Sequence, residues 1–424
     1  MGRGSVLLRR LPQAPVAPPM HVEFPPTSAA LNARLARVRP TDYARTRNHL
    51  EGAVTGLSPW ITHGFITLRE VADAIGQTHA LNVQHKLIYE LGWRAWFRHV
   101  WLTRGDGILQ SLHQGPLPDA AYRHALPDDC RAGTTGVPVV DQAVAALYRD
   151  GWLHNHARMW LASYLVHVRK VHWRVGADWL YGHLLDGDLA SNHLSWQWVA
   201  GTGSTKPYLF NADNVARYAP PAWHSPGTVI DTGYDQLDVL ARTPPQVRPS
   251  QVRTPRAREA AGSVGAGRPP EPLAPIDPTH VHGRPVWLLH AWSLRTPPAD
   301  LPPETRVVGV IDTDFHARWT FSEARWRFVL TRMRELTDTI WCGSRATLAD
   351  ALAGAARLEA NAEPHLGVAG GLIEALPGCA WRRETELFPA TRRTYNNFST
   401  WWRAVTADVT TLDELLAHSA WATV

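Results

Sequence analysis

Two segments concentrate side chains that could do chemistry. DGDLASNHLSWQW, residues 186–198, puts two carboxylates, an asparagine and two tryptophans into one turn and one helical stretch. GWLHNHARMW, residues 151–160, places Asn155, Arg158 and Met159 at spacings of three and four, which is one face of a helix. A packed core does not require carboxylates and amides beside indoles, whereas a pocket for a polar aromatic molecule does. Arg158 lies on a mostly apolar helix and needs an anion, because an unpaired buried charge is costly. Asp186 and Asp188 are the natural partners. A structural ion pair and a cofactor anchor explain Arg158 with Asp186 equally well.

Two further segments add to these. In AVTGLSPW, residues 53–60, Thr55, Gly56 and Ser58 precede a helical stretch. Small hydroxyl residues and exposed backbone N–H groups there can bind phosphate, or simply cap the helix. In YELGWRAWFRH, residues 89–99, Glu90, Trp93, Arg94 and Phe97 form one helical stripe. Such a stripe is ordinarily core, but a carboxylate and a guanidinium on it suggest a pocket wall. The pairs His154/His156 and His167/His172 lack a completing carboxylate motif, so no metal site is expected.

These groups need a frame to position them. Residues 28–235 read as one large helical domain, from LNARLARV and ITLREVADAI through LIYELGWRAWFRHVWL and VVDQAVAALYRDGW, with apolar residues at three-to-four spacing. MWLASYLVHVRKVHW is apolar nearly all round and predicts a single buried helix. Residues 1–27 read as a flexible proline-rich arm, and residues 236–283 as a Pro/Arg/Gly-rich linker that buries too little apolar surface to offset its ordering entropy. From 284 to 424 the rhythm changes. RPVWLLHAW, RVVGVIDT, TIWCGS and PHLGVAGG read as strands, and SEARWRFVLTRMRELT and LADALAGAARLE as helices. The predicted class is α + α/β: a large all-helical domain followed by a small α/β domain with a mainly parallel sheet.

Composition narrows the possibilities. The chain has 20 Trp against 10 Tyr and 9 Phe; core packing accounts for most of the indoles, and a subset is available to stack on a cofactor or pass electrons. A net charge of +5 suits a polyanionic partner without demanding one. Cys130, Cys342 and Cys379 lie far apart with no CxxC, which argues against a disulfide framework, a cysteine zinc site and a four-cysteine iron–sulfur cluster. No apolar run reaches the ~18 residues of a membrane span. A cytoplasmic, monomeric protein without membrane association is the expectation.

Taken together and in order, TGLSPWITHG, ELGWRAWFRH, GTTGVPVVDQAVAALYRDGWLHNHARM and DGDLASNHLSWQWVAGTG resemble the FAD-binding helical domain of the photolyase/cryptochrome family. The resemblance implies bound FAD and blue-light-driven electron transfer, for repair of pyrimidine dimers in DNA or for signalling through a partner. It implies cofactor contacts at Tyr43, Thr55, Leu57, Ser58, Arg94, Asn155, Arg158, Asp186, Asp188 and Asn192, with Asn192 opposite flavin N5. Trp93 matches the tryptophan that stacks on a flipped dimer, with Glu90, Asn155 and Met159 beside it. Arg47, Trp93 and Lys206 are the expected DNA contacts. Trp196 and Trp173 match the first two members of an electron relay, while Trp198 reads as core. Near the third relay position the chain offers Tyr122. The α/β segment follows the helical one, the reverse of the family's usual order, which reads as a circular permutation. HAWSLR there departs from the family's more charged motif and leaves an antenna chromophore open.

Overall fold

The computed structural model describes residues 22–245, 268–368, 370–391 and 393–419. Most of the expected arm and the middle of the expected linker lie outside the described residues. The helical unit runs through α1 (Ser28–Leu35), α2 (Pro40–Thr46), α3 (Ser58–Thr62), α4 (Leu68–Gly76), α5 (Lys86–Arg104), α6 (Asp128–Ala132), α7 (Pro138–Asp150), α8 (Asn155–Ser163), α9 (Trp173–His183), α10 (Leu189–Ala200), α11 (Ala212–Tyr218) and α12 (Tyr234–Arg242). The sheet unit follows as β1 (Pro285–Leu289), β2 (Arg306–Asp312), α13 (Thr313–Arg318), α14 (Glu323–Leu336), β3 (Ile340–Gly343), α15 (Arg345–Leu352), β4 (Arg357–Asn361), α16 (Leu372–Ala375) and β5 (Cys379–Arg382). Two last helices, α17 (Phe398–Val405) and α18 (Leu412–Ser419), complete the described chain.

Local chemistry explains where the site-bearing helices begin and end. Asp188 caps α10 by accepting from Ser191 N, and Gly201 ends it at φ 75°, a conformation that costs glycine little. Pro138 opens α7, and Gly151 closes it at φ 62°. The single helix expected over MWLASYLVHVRKVHW is broken. It leaves α8 through a π-turn at Tyr164–Val168, and Lys170 takes φ 54° before α9 starts at Trp173. Lys170 Nζ donates to Leu240 O and Ala241 O, so the break holds the end of α12. That helix crosses the expected boundary at 235 because Leu237 and Ala241 are buried. At the other end of the linker, Val281 is buried as well. In the last residues of the arm, Phe24 packs against Trp60 and Trp152.

The five strands are all parallel, in the order β3-β2-β1-β4-β5. This is a doubly wound sheet whose order reverses between β1 and β4, where such sheets open a crevice at the strand C-termini. Here rings fill the crevice. Trp292 stacks on His365 at 4.6 Å and 11°, with His316 parallel to it at 6.1 Å. The void left between these residues, Phe315 and Leu372 is ≈ 10 Å³, about one water probe. PHLGVAGG is not a strand: Pro364–Gly367 is a 3₁₀ turn, and the strand lies earlier, at β4, which takes up the end of the expected helix LADALAGAARLE.

The two units share a core. One apolar cluster runs from Trp60, Ile88 and Trp101 of the helical unit to Val286, Trp292 and Trp326 of the sheet unit. A second cluster, around Val140, Leu161 and Trp196, belongs to the helical unit alone. Backbone bonds cross the junction, from Leu294 N to His63 O and from Ser322 N to Gly182 O. Among the described residues, α17 and α18 do not join the sheet. Trp402 lies against Gly92 of α5, where a Cβ would come within 2.3 Å of its ring. Among the described residues, no helix is long and apolar enough to cross a membrane.

Candidate functional site

The structure brings some of the expected residues together: Arg158 with Asp186, Arg94 with the same turn through Thr62, Arg47 with Glu90, and Asn155 with Met159. Arg158 grips Asp186 with one nitrogen, at 3.0 Å to Oδ1 and 2.8 Å to Oδ2, and its Nε donates to Leu153 O at 2.9 Å. Thr62 links the turn to α5: its hydroxyl donates to Asp186 O at 3.2 Å and accepts from Arg94 at 2.9 Å. Burial pushes the Asp188 carboxyl up, but Arg94, His365 and Ser191 outweigh it and hold the group at about 2. Asp188 is therefore an anion at neutral pH. Asn192 Nδ2 donates to Ala177 O at 2.8 Å, which orients the amide and leaves its oxygen as the available acceptor.

On α5, Glu90 pairs with Arg47 at 3.3 Å. Burial raises its pKa, with Arg47 and Lys86 pulling the other way. Tyr43 is half-buried nearby, its phenol pushed up by burial and by Glu90. Trp93 is half-buried, and Phe398 of α17 lies flat against it at 4.0 Å and 8°. Asn155 is exposed at the start of α8, with its Nδ2 3.4 Å from Met159 Sδ. Leu57 is fully buried, while Ser58 Oγ accepts from Trp152 Nε1 at 3.3 Å. Thr55 stays half-buried in the loop before α3. Lys206 is exposed.

The relay candidates also cluster. Trp196 crosses α9 at Gly176, where a Cβ would meet its ring at 2.3 Å. Trp173 donates to Ser111 Oγ at 3.0 Å. Tyr122 is buried, and its ring lies 6.2 Å from His172, which is 5.8 Å from Trp173. Trp198 is not core: it is 39% exposed, against 2% for Trp196 one half-turn away.

Sequence reasoning missed Thr62, Trp152, Phe398, Arg325 and His365. The first two stand inside the quoted motifs, where a hydroxyl and an indole beside the phosphate-type loop were a readable signal. The other three lie more than a hundred residues away, and no local pattern connects them to the site.

A polar ligand suits this arrangement. The Arg158 side chain keeps 24% of its surface accessible, and Asp188 keeps 15%, although Ala157, Leu161, Leu189 and Ala190 around them are buried. Charged groups that stay accessible inside an apolar frame are available to the hydrogen-bonding edges of a ring. The sheet crevice does not fit a second pigment, because its own rings occupy it.

Comparison with known proteins agrees for the helical unit. The family described as "FAD binding domain of DNA photolyase" matches residues 87–222. A deoxyribodipyrimidine photo-lyase of Streptomyces griseus is 36% identical over 171 residues, 39% of this chain and 36% of the relative. A cryptochrome DASH of Ostreococcus tauri is 32% identical over 212 residues, 47% of this chain and 37% of the relative. The chain thus spans a little over a third of the length of these relatives. Among solved structures, a cryptochrome of Synechocystis sp. PCC6803 is similar at 28% identity and a TM-score of 0.41, covering 47% of this chain and 46% of that one. FAD is the cofactor of the matched domain.

Proposed function

From a chain that belongs, through residues 87–222, to the photolyase/cryptochrome family, we propose a blue-light-driven DNA photolyase that repairs cyclobutane pyrimidine dimers. Bound FAD supplies light-driven one-electron chemistry. The protein's own part is to bind, orient and exclude water. Trp93 carries the reading. Phe398 pins one face of the indole, and the rest of the ring stays partly open on the stripe that holds Glu90 and Arg94. A preordered aromatic platform takes a flipped base without losing its own rotamer entropy. In this reading Glu90, Asn155 and Met159 supply the groups for base edges, and Asp186, Arg158 and Asn192 hold the cofactor ring. Arg47 and Lys206 face DNA phosphates. Trp196, Trp173 and Tyr122 form the relay, with His172 between the last two.

The exchanged order of units is part of the same proposal. It is supported by the shared core and the backbone bonds across the junction. A second reading, a FAD photoreceptor that signals without repair, is favoured by the stretch from Gly203 to Phe210, where Lys206 is the one cation. Illumination of dimer-containing DNA with the reduced protein separates the two. Loss of dimers with wild type, and its failure in Trp93→Ala at unchanged flavin content, is the expected result. Intact dimers with both proteins would transfer the proposal to the photoreceptor.

A further inference from the structure

The turn formed by Asp186, Gly187 and Asp188 is gripped from the sheet unit as well as from the helical one. Arg325, on α14, is 0% exposed and reaches across the junction. Its Nη1 donates to Tyr181 O at 3.0 Å and its Nη2 to Gly187 O at 2.5 Å. The guanidinium lies 3.7 Å over the Phe321 ring. A Cβ on Gly187 would stand 2.5 Å from Arg325 Nη1, so a glycine is what admits the guanidinium. On the other side is His365, 1% exposed. Its Nε2 accepts from Leu189 N at 3.4 Å and lies 3.9 Å from Asp188 Oδ2. Its Nδ1, which then carries the proton, donates to Glu363 at 3.0 Å, and Glu363 accepts two bonds from Arg98 of α5. Trp292 fixes the plane of the ring.

A buried guanidinium is an expensive way to fill space, since an apolar side chain of similar size packs there at lower cost. What it provides is direction. With the Gly187 carbonyl anchored, the peptide cannot rotate, and the side chains of Asp186 and Asp188 stay on their present sides. We propose that Arg325 and His365 are positioning residues through which the sheet unit sets the cofactor-binding turn, so that both units build the flavin site. This rests on the FAD reading of that turn.

The test uses the full chain with Arg325→Met, His365→Ala and His365→Gln. Arg332→Met is the control, because Arg332, also on α14, reaches across the junction to lie 5.1 Å over Phe65 while its Nε donates to Leu294 O within the sheet unit, away from the turn. The readouts are the FAD dissociation constant, the fine structure of the bound flavin's absorption band, and hydrogen exchange of the amides at 187–189. Arg325→Met and His365→Ala should each weaken FAD binding about tenfold and speed that exchange. His365→Gln, whose amide can accept from Leu189 and donate to Glu363, should restore both. Arg332→Met should lower the melting temperature without either change. Variants at 325 and 365 that behave as Arg332→Met does would overturn the proposal. If Arg325→Met fails to fold, the Ala/Gln pair at 365 decides. If wild type takes up no FAD, the cofactor reading fails, and hydrogen exchange alone still decides whether the turn is clamped.

Discussion

Two regions of the molecule have opposite characters. Between α5, α8 and α10, charged groups remain open inside an apolar frame, as Arg158 and Asp188 show. At the C-terminal ends of β1 and β4, where a doubly wound sheet normally takes a ligand, Trp292, His316 and His365 leave a void of only ≈ 10 Å³. The first region keeps polar groups accessible to a guest, and the second is filled by its own rings. The second borders the first, since His365 belongs to both. A likeness of fold therefore locates a crevice without saying whether it is used; the side chains decide that.

Acid should test whether the two places are separable, with the largest effect. Among the buried histidines with lowered pKa values, six are pushed down furthest, each first by burial: His63, His154 and His316 to about 3, and His167, His183 and His290 to about 4. The unfolded chain takes up these protons near 6.5, the folded chain only near 3 to 4. Between those values the unfolded state binds more protons, so stability falls as pH falls. Each group alone is worth ~1.4 kcal/mol per pH unit in that window. We expect a loss of ~5 kcal/mol or more between pH 7 and pH 5, measured by urea unfolding. Because the core is shared, tryptophan fluorescence and far-UV dichroism should report one transition. Two transitions would break the comparison by separating the units. Asp188 and Glu363, each held at about 2 against burial, by Arg94 and Arg98 respectively, contribute stability that is complete above about pH 4.5 and is lost only below it.

Arg158→Ala comes next. It strands Asp186, 3% exposed, without its cation, at ~3–5 kcal/mol, and should abolish flavin retention as read by the absorbance ratio of purified protein. In the sheet crevice, Leu372→Ala should cost ~2–4 kcal/mol and leave flavin content unchanged. Flavin loss there would mean that the two regions are coupled through more than His365. The smallest effect is at the rim. Lys206→Ala should reduce the salt slope of DNA affinity by about one and weaken binding uniformly across sequences.

Much of the helical unit was legible in the sequence. Helices with a regular apolar stripe, such as α5 and α7, follow from periodicity, and the Arg158–Asp186 contact follows from the cost of an unpaired charge. The break at Lys170 was not legible, because a left-handed residue there depends on two carbonyls of α12, seventy residues away. The register of β4 was misplaced because ARLEAN and PHLGVAGG are both short mixed runs, and pairing with β1 chooses between them. The contribution of Phe398, Arg325 and His365 to the site depends on docking of the units, which no local pattern encodes.

The shared core also sets an order of events during synthesis. The helical unit leaves the ribosome first, with Trp60, Ile88 and Trp101 directed toward a partner surface that has not yet been made. At ~5–20 residues per second, the chain needs roughly ten to thirty-five seconds to supply the strands and helices that cover them. For that interval the nascent protein carries an uncovered apolar face, which folding helpers would shield and which slower translation of the intervening segment would leave exposed for longer.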